Sequence, residues 1–189
     1  MTASTRSYAE TAPVAGGVAR SATTHALTTA ALLMALASVL GLLEASLPVP
    51  IPGARLGLAN VAVVLALVML GPSRALVVSL GRVAIVSLAA GTAGGPIFML
   101  AVAGAFASWA GMCLVMRLFA GATVVGISAA GGVVHVFSQL AVASLLAGTA
   151  GVFAVGTVSL SAGLLFGIAT GLIARLVISR MQEFVHPGT

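Results

Sequence analysis

Lysine and aspartate are absent from this 189-residue chain: its eight cations are all arginine and its three anions all glutamate. Charged residues make up only 6% of it, against about 25% in an ordinary soluble domain. So few charges cannot cover a water-facing surface of this size, and lipid must be the solvent for most of the chain. The single cysteine excludes an internal disulfide and a cysteine-based metal cluster. Cys113 lies in an apolar run and reads as a small buried hydrophobe. Without aspartate there is no Asp-rich pair to hold Mg²⁺ against a diphosphate. A glycine-rich phosphate loop ending in lysine is also missing, so the chain cannot bind and split ATP by that route. No Ser/His/acid set or zinc motif stands out. No metal or cofactor is expected, and energy for any transport has to come from an ion gradient or another subunit.

What is present is apolar: hydrophobic residues form 60% of the chain and the mean hydropathy is +1.23. The length suggests one domain. The sequence pI near 11.5 does not point to nucleic acid, because the arginines are scattered among apolar runs and form no patch with interleaved aromatics. Their plain reading is that they orient the protein in a membrane.

A spanning helix needs roughly 20 apolar residues. On that ruler the expectation is an all-α membrane protein, a bundle of six transmembrane helices at about 26–46, 58–70, 73–90, 96–118, 122–147 and 152–181. Residues 1–24 read as a disordered cytoplasmic tail, 25–181 as the membrane domain and 182–189 as a short cytoplasmic tail. Between the first two helices lies a broken segment with Pro48, Pro50, Pro52 and Gly53. The second helix is too short to span unless it borrows from this segment. Irregular backbone at membrane depth is tolerated only where protein or a water-filled cavity covers it, and such interruptions point to transporter binding sites. An ordinary external loop followed by a short tilted helix reads the same sequence equally well.

Six spans put both termini on one side. Arg6, Arg20, Arg74, Arg117, Arg175 and Arg180 collect there, and only Arg55 falls on the other. The positive-inside rule therefore makes both termini cytoplasmic. Small residues recur every fourth position: Ser159, Gly163, Gly167 and Gly171 in the sixth helix, Ala31 and Ala35 on one face of the first, and Ala37, Gly41 and Ala45 on another. Such faces let helices approach closely in lipid, within the bundle or against a partner subunit.

Ionisable and amide groups inside a bilayer are functional-site candidates by default, since a central charge costs about 2.5–3.5 kcal/mol on insertion scales. Here they are Glu44 near the outer end of the first helix, Arg55 and Asn60 flanking the second, Arg82 in the third, and His135 with Gln139 on one face of the fifth. Counted from the loops, most fall in the outer half of the membrane, as a cavity opening outward requires. Each has a plain alternative: Glu44 as a helix cap or ion-pair partner of Arg55 or Arg82, His135 as a satisfied core histidine, Asn60 and Gln139 as interhelical glue. Arg55 and Arg82 permit a ligand with an anionic group, and walls of glycine and alanine permit an apolar body.

Residues 50–60, Pro-Ile-Pro-Gly-Ala-Arg-Leu-Gly-Leu-Ala-Asn, resemble the signature of the Gx transporter family. Glu44 just before it, Leu80-Gly81-Arg82-Val83 and the stretch from Gly132 through His135 to Gln139 follow in the family's order. One departure is Val136, where the family often has asparagine. That family is also labelled heptaprenyl diphosphate synthase component I, and its members resemble the substrate-binding S components of energy-coupling-factor transporters. The resemblance implies a six-helix protein that captures a small molecule on the outer side and docks on a transmembrane coupling subunit driven by ATPases. It implies Ala31 and Ala35 as the docking face and the Pro-rich segment as a gate. The competing reading is a non-catalytic membrane component of polyprenyl diphosphate synthesis; a scaffold with no ligand is a third.

Overall fold

The computed structural model describes residues 15–46 and 57–185, with side chains described over 23–46 and 57–183. Six α-helices follow in order: α1 (Ala15–Ser46), α2 (Leu58–Leu70), α3 (Pro72–Ala89), α4 (Pro96–Leu118), α5 (Val124–Ala147) and α6 (Gly156–Val185), with a 3-10 helix at Ala150–Val155 leading into α6. No strand occurs among the described residues. Five helices are long and apolar enough to cross a membrane, the exception being α2. Their outward faces carry large exposed apolar side chains such as Leu32, Leu165 and Leu176. Faces of this kind need a lipid or protein covering. The chain is a helical membrane protein.

Helix boundaries follow turn chemistry. Proline opens both α3 and α4, where its missing N–H is no loss. A single residue, Gly71 at φ 87°, links α2 to α3; a side chain would strain that left-handed backbone. Thr123 caps α5 by accepting the Gly126 N–H at 3.1 Å. Three boundaries differ from the sequence reading by more than two residues. α1 begins at Ala15, within the stretch read as a tail, and runs through the Gly16-Gly17 pair. A 3-10 segment occupies the stretch expected as the start of the sixth helix, and α6 begins only at Gly156 and runs on to Val185, into the stretch read as the terminal tail. The Pro-rich segment, Arg55 included, lies outside the described residues.

The short α2 sits at the centre. Ala59 and the run Val61 through Leu67 are all buried, and the helix packs on α1, α3 and α6. A helix apolar on every side belongs in an interior. At 13 residues it is about 20 Å long, short of a ~30 Å hydrocarbon core. Because neighbouring helices surround it, it does not have to meet lipid at both faces of the membrane.

α4, α5 and α6 form a second packed group. A Cβ added at Gly132 of α5 would run into the Gly163 carbonyl oxygen, and one at Gly171 would lie 2.7 Å from Val125 Cα. The Gly163–Gly167–Gly171 stripe of α6 is therefore internal packing against α5. Lipid tails are as apolar as leucine, so van der Waals packing between close backbones has to hold such helices together.

Along its axis the bundle has two unlike ends. The proximal end holds the α2–α3 link, the α4–α5 turn and the last turns of α6. It is filled by Val63, Val64, Leu67, Val78, Met112 and Ile127, with half-buried Cys113 and Trp109 packed alongside. The distal end holds the C-terminus of α1 and the α3–α4 and α5–α6 turns. There the interior is open.

Candidate functional site

The opening is a cavity of about 550 Å³ extending from the α3–α4 turn into the middle of the bundle. That is within the ~300–1,000 Å³ of small-molecule sites. Five of the six residues singled out from sequence line it: Glu44, Asn60, Arg82, His135 and Gln139. The sixth, Arg55, lies outside the described residues. Ala31 and Ala35 are elsewhere, on the exposed face of α1.

Each polar group reaches the cavity for a local reason. Glu44 is two residues from the end of α1 and only 6% exposed. Its Oε1 accepts the backbone N–H of Leu58, the first residue of α2. A carboxylate there satisfies one of the unpaired donors of a helix start and meets the positive end of its dipole. Gly57, immediately before, holds the left-handed conformation (φ 73°) that turns the chain into α2. Asn60 follows in the first turn, and with Gly57 and Ala59 it places the N-terminus of α2 on the cavity wall.

Arg82 is half-buried on α3, level with Leu100 and Ala101 of the facing α4. One turn nearer the mouth, Ser87 and Thr92 line the wall where α3 ends, joined by the Thr92 N–H donating to the Ser87 carbonyl at 2.9 Å.

His135 and Gln139 project from α5 one turn apart. The imidazole packs against Gly104 of α4 so closely that a Cβ there would lie 2.7 Å from Cε1 and 2.8 Å from Nε2. Glycine at position 104 is thus what gives the ring its place. The remaining wall is α6: Gly163, Phe166, Gly167 and Thr170. At its base the Thr170 and Ser128 hydroxyls are 2.9 Å apart, and Thr170 also donates to the Phe166 carbonyl at 2.9 Å.

The hydroxyls of Ser87, Thr92 and Thr170 and the seat at Gly104 were not singled out from sequence. In a chain so rich in Ser, Thr and Gly, no spacing distinguishes these from packing residues. The α6 stripe was visible as a close-packing signal, but not as cavity wall.

The cavity combines one guanidinium, one carboxylate already bonded to α2, an imidazole, two amides and several hydroxyls with a wall of Gly, Ala and Val. It offers oriented hydrogen bonds and apolar area, the ingredients of a binding pocket. Among the described residues no group of three His, Cys, Asp or Glu could hold a metal ion.

Fold and cavity together define a multi-helix membrane protein with an internal chamber of small-molecule size. The chain belongs to the heptaprenyl diphosphate synthase component I family, whose model matches residues 33–177. No curated protein and no solved structure matches it. This family is the one that the motifs around Asn60, Arg82 and His135 resemble.

Proposed function

We propose that the protein is the substrate-binding membrane subunit of an energy-coupling-factor-type uptake transporter. It crosses the membrane six times with both termini in the cytoplasm, and it captures a small molecule from the outer side. The observation that carries this reading is the cavity: five polar residues from four apolar helices converge on one chamber at one end of the bundle, while the other end is packed with apolar side chains. A purely structural bundle has no need to gather such costly groups around empty space.

Delivery needs a partner, since the chain lacks any lysine with which to build an ATP-binding phosphate loop. Ala31 and Ala35 supply a docking face. Both are exposed on α1, flanked by Leu32 and Leu36, whereas the Ala37–Gly41 face of the same helix is turned inward, with Gly41 against Val86. A smooth stripe that the bundle itself leaves uncovered suits close approach by another membrane helix.

The family's description favours one second reading, a non-catalytic membrane component of polyprenyl diphosphate synthesis. Tagged protein, purified in mild detergent from its own host, separates the two. Co-purification of a transmembrane coupling subunit with ATPases supports the transporter reading. A prenyltransferase recovered in their place overturns it.

A further inference from the structure

We infer that the molecule captured in this cavity carries an amide-type edge, an N–H beside a carbonyl or ring nitrogen, and that Asn60 and Gln139 read it. The inference rests on the capture reading and specifies its substrate class.

The way polar side chains are satisfied in this bundle leads to it. Ser38 donates to the Met34 carbonyl, Ser138 to the His135 carbonyl and Ser161 to the Thr157 carbonyl, each at 2.8 Å. Ser128 and Thr170 meet each other. A hydroxyl bonded to its own preceding turn asks nothing of its surroundings.

Two amides behave differently. Asn60 on α2 and Gln139 on α5 are half-buried and line the chamber. Neither side chain makes a hydrogen bond among the described residues, and the polar atoms of both stay accessible. Interhelical glue, one reading of them from sequence, is therefore not the part they play. Ser87 of α3 adds a third group: it lines the chamber, is only 4% exposed, and its hydroxyl also has no partner among the described residues. Three helices thus each present a neutral polar group to one space.

The chemistry of an amide decides what it fits. It holds N–H donors and a carbonyl acceptor side by side. A hydrocarbon chain uses neither half, and a group with acceptors alone uses one. An edge with both a donor and an acceptor satisfies both halves at once, as in the bidentate pairing of Asn or Gln with adenine. Carboxamides, lactams and nitrogen heterocycles carry such edges. The Ser87 hydroxyl can donate to or accept from a further polar atom. Ala59, Val83, Ala101 and Phe166 cover the remainder of the molecule with apolar surface.

The test adds an aqueous metabolite extract, or an organic lipid extract, of the host to the purified full-length protein in detergent, and the melting temperature is read. The aqueous extract should raise it and the lipid extract should not. The molecule retained on repurification, identified by mass spectrometry, should contain an amide-type edge. Asn60→Leu and Gln139→Met keep the approximate bulk of each side chain and remove the amide. Each should weaken the response to the aqueous extract by about 5–100-fold, the worth of one bidentate pair. With no extract added, both variants should melt no lower than the parent, because an amide without a protein partner holds no helices together. If either variant does not fold, Asn60→Ala or Gln139→Ala, which add no bulk, carries the test.

Stabilisation by the lipid extract alone, or a retained molecule without the edge, would overturn the assignment and leave the capture reading standing. An undiminished response in the variants would overturn the role of the two amides, as would a lower melting temperature in the alanine variants without extract. If neither extract acts, the capture reading falls and this assignment with it.

Discussion

At the scale of single residues, the chamber depends on positions where a side chain is missing. His135 has room because residue 104 is glycine. A methyl group there would overlap the ring, and overpacking of this sort costs about 1–3 kcal/mol. Gly104→Ala should therefore lower the melting temperature in the presence of His135. In the His135→Ala background the ring is gone, and the same substitution should be close to neutral. The two changes form a double-mutant cycle, with an expected coupling of about 0.5–3 kcal/mol. Additive effects would mean that Gly104 serves helix packing alone.

Glu44 gives a second test at this scale. Its carboxylate accepts from the first N–H of α2, the work of a helix cap supplied from a different helix. Removing a cap costs about 0.5–2 kcal/mol. Glu44→Ala should destabilise the protein by that amount. Glu44→Gln, which keeps an acceptor oxygen, should cost less. Equal losses in thermal unfolding would show that the charge matters and the hydrogen bond does not.

At the scale of elements, helix positions were largely legible: the ranges read for α2 and α4 match the structure, because Gly-Pro pairs and glycine turns bracket them. The place of α2 was not. Its length argued for a broken or tilted span, and only the packing of α1, α3 and α6 around it reveals a buried central helix. The convergence of Glu44, Asn60, Arg82, His135 and Gln139 on one chamber was legible because intramembrane polar residues are few and their depth follows from the loops. The contacts that seat Glu44 and His135 were not legible, since Leu58 and Gly104 are apolar positions whose roles come from backbone and from absent atoms.

The two small-residue faces of α1 also looked alike in sequence, and the structure separates them. Ala37 is fully buried, and Gly41 packs against Val86. Ala31 and Ala35 are exposed. Replacing both exposed alanines with leucine should leave the melting temperature within about 0.5 kcal/mol of equivalent stability, as for surface changes generally. The same variant should no longer co-purify with a coupling subunit. Association that survives the change would remove this face from the docking proposal.

At the scale of the whole molecule, the two ends of the bundle differ in packing and in charge. Arg74, Arg117, Arg175 and Arg180 all belong to the proximal end, where the packed apolar core lies. The cavity reaches the surface at the opposite end, where Ala90 and Ile97 are exposed beside the α3–α4 turn. If arginines mark the cytoplasmic side, the chamber opens outward, as uptake from outside requires. The same geometry turned over would serve a ligand arriving from the cytoplasm, so orientation decides between uptake and an internal metabolic role. Because Cys113 is the chain's only cysteine, a Cys113→Ala background lets one introduced thiol report its side. Thr92→Cys at the distal mouth should react with a membrane-impermeant maleimide in intact cells. Thr123→Cys in the α4–α5 turn should react only after the membrane is opened. The reverse pattern would place the chamber on the cytoplasmic side and end the uptake reading.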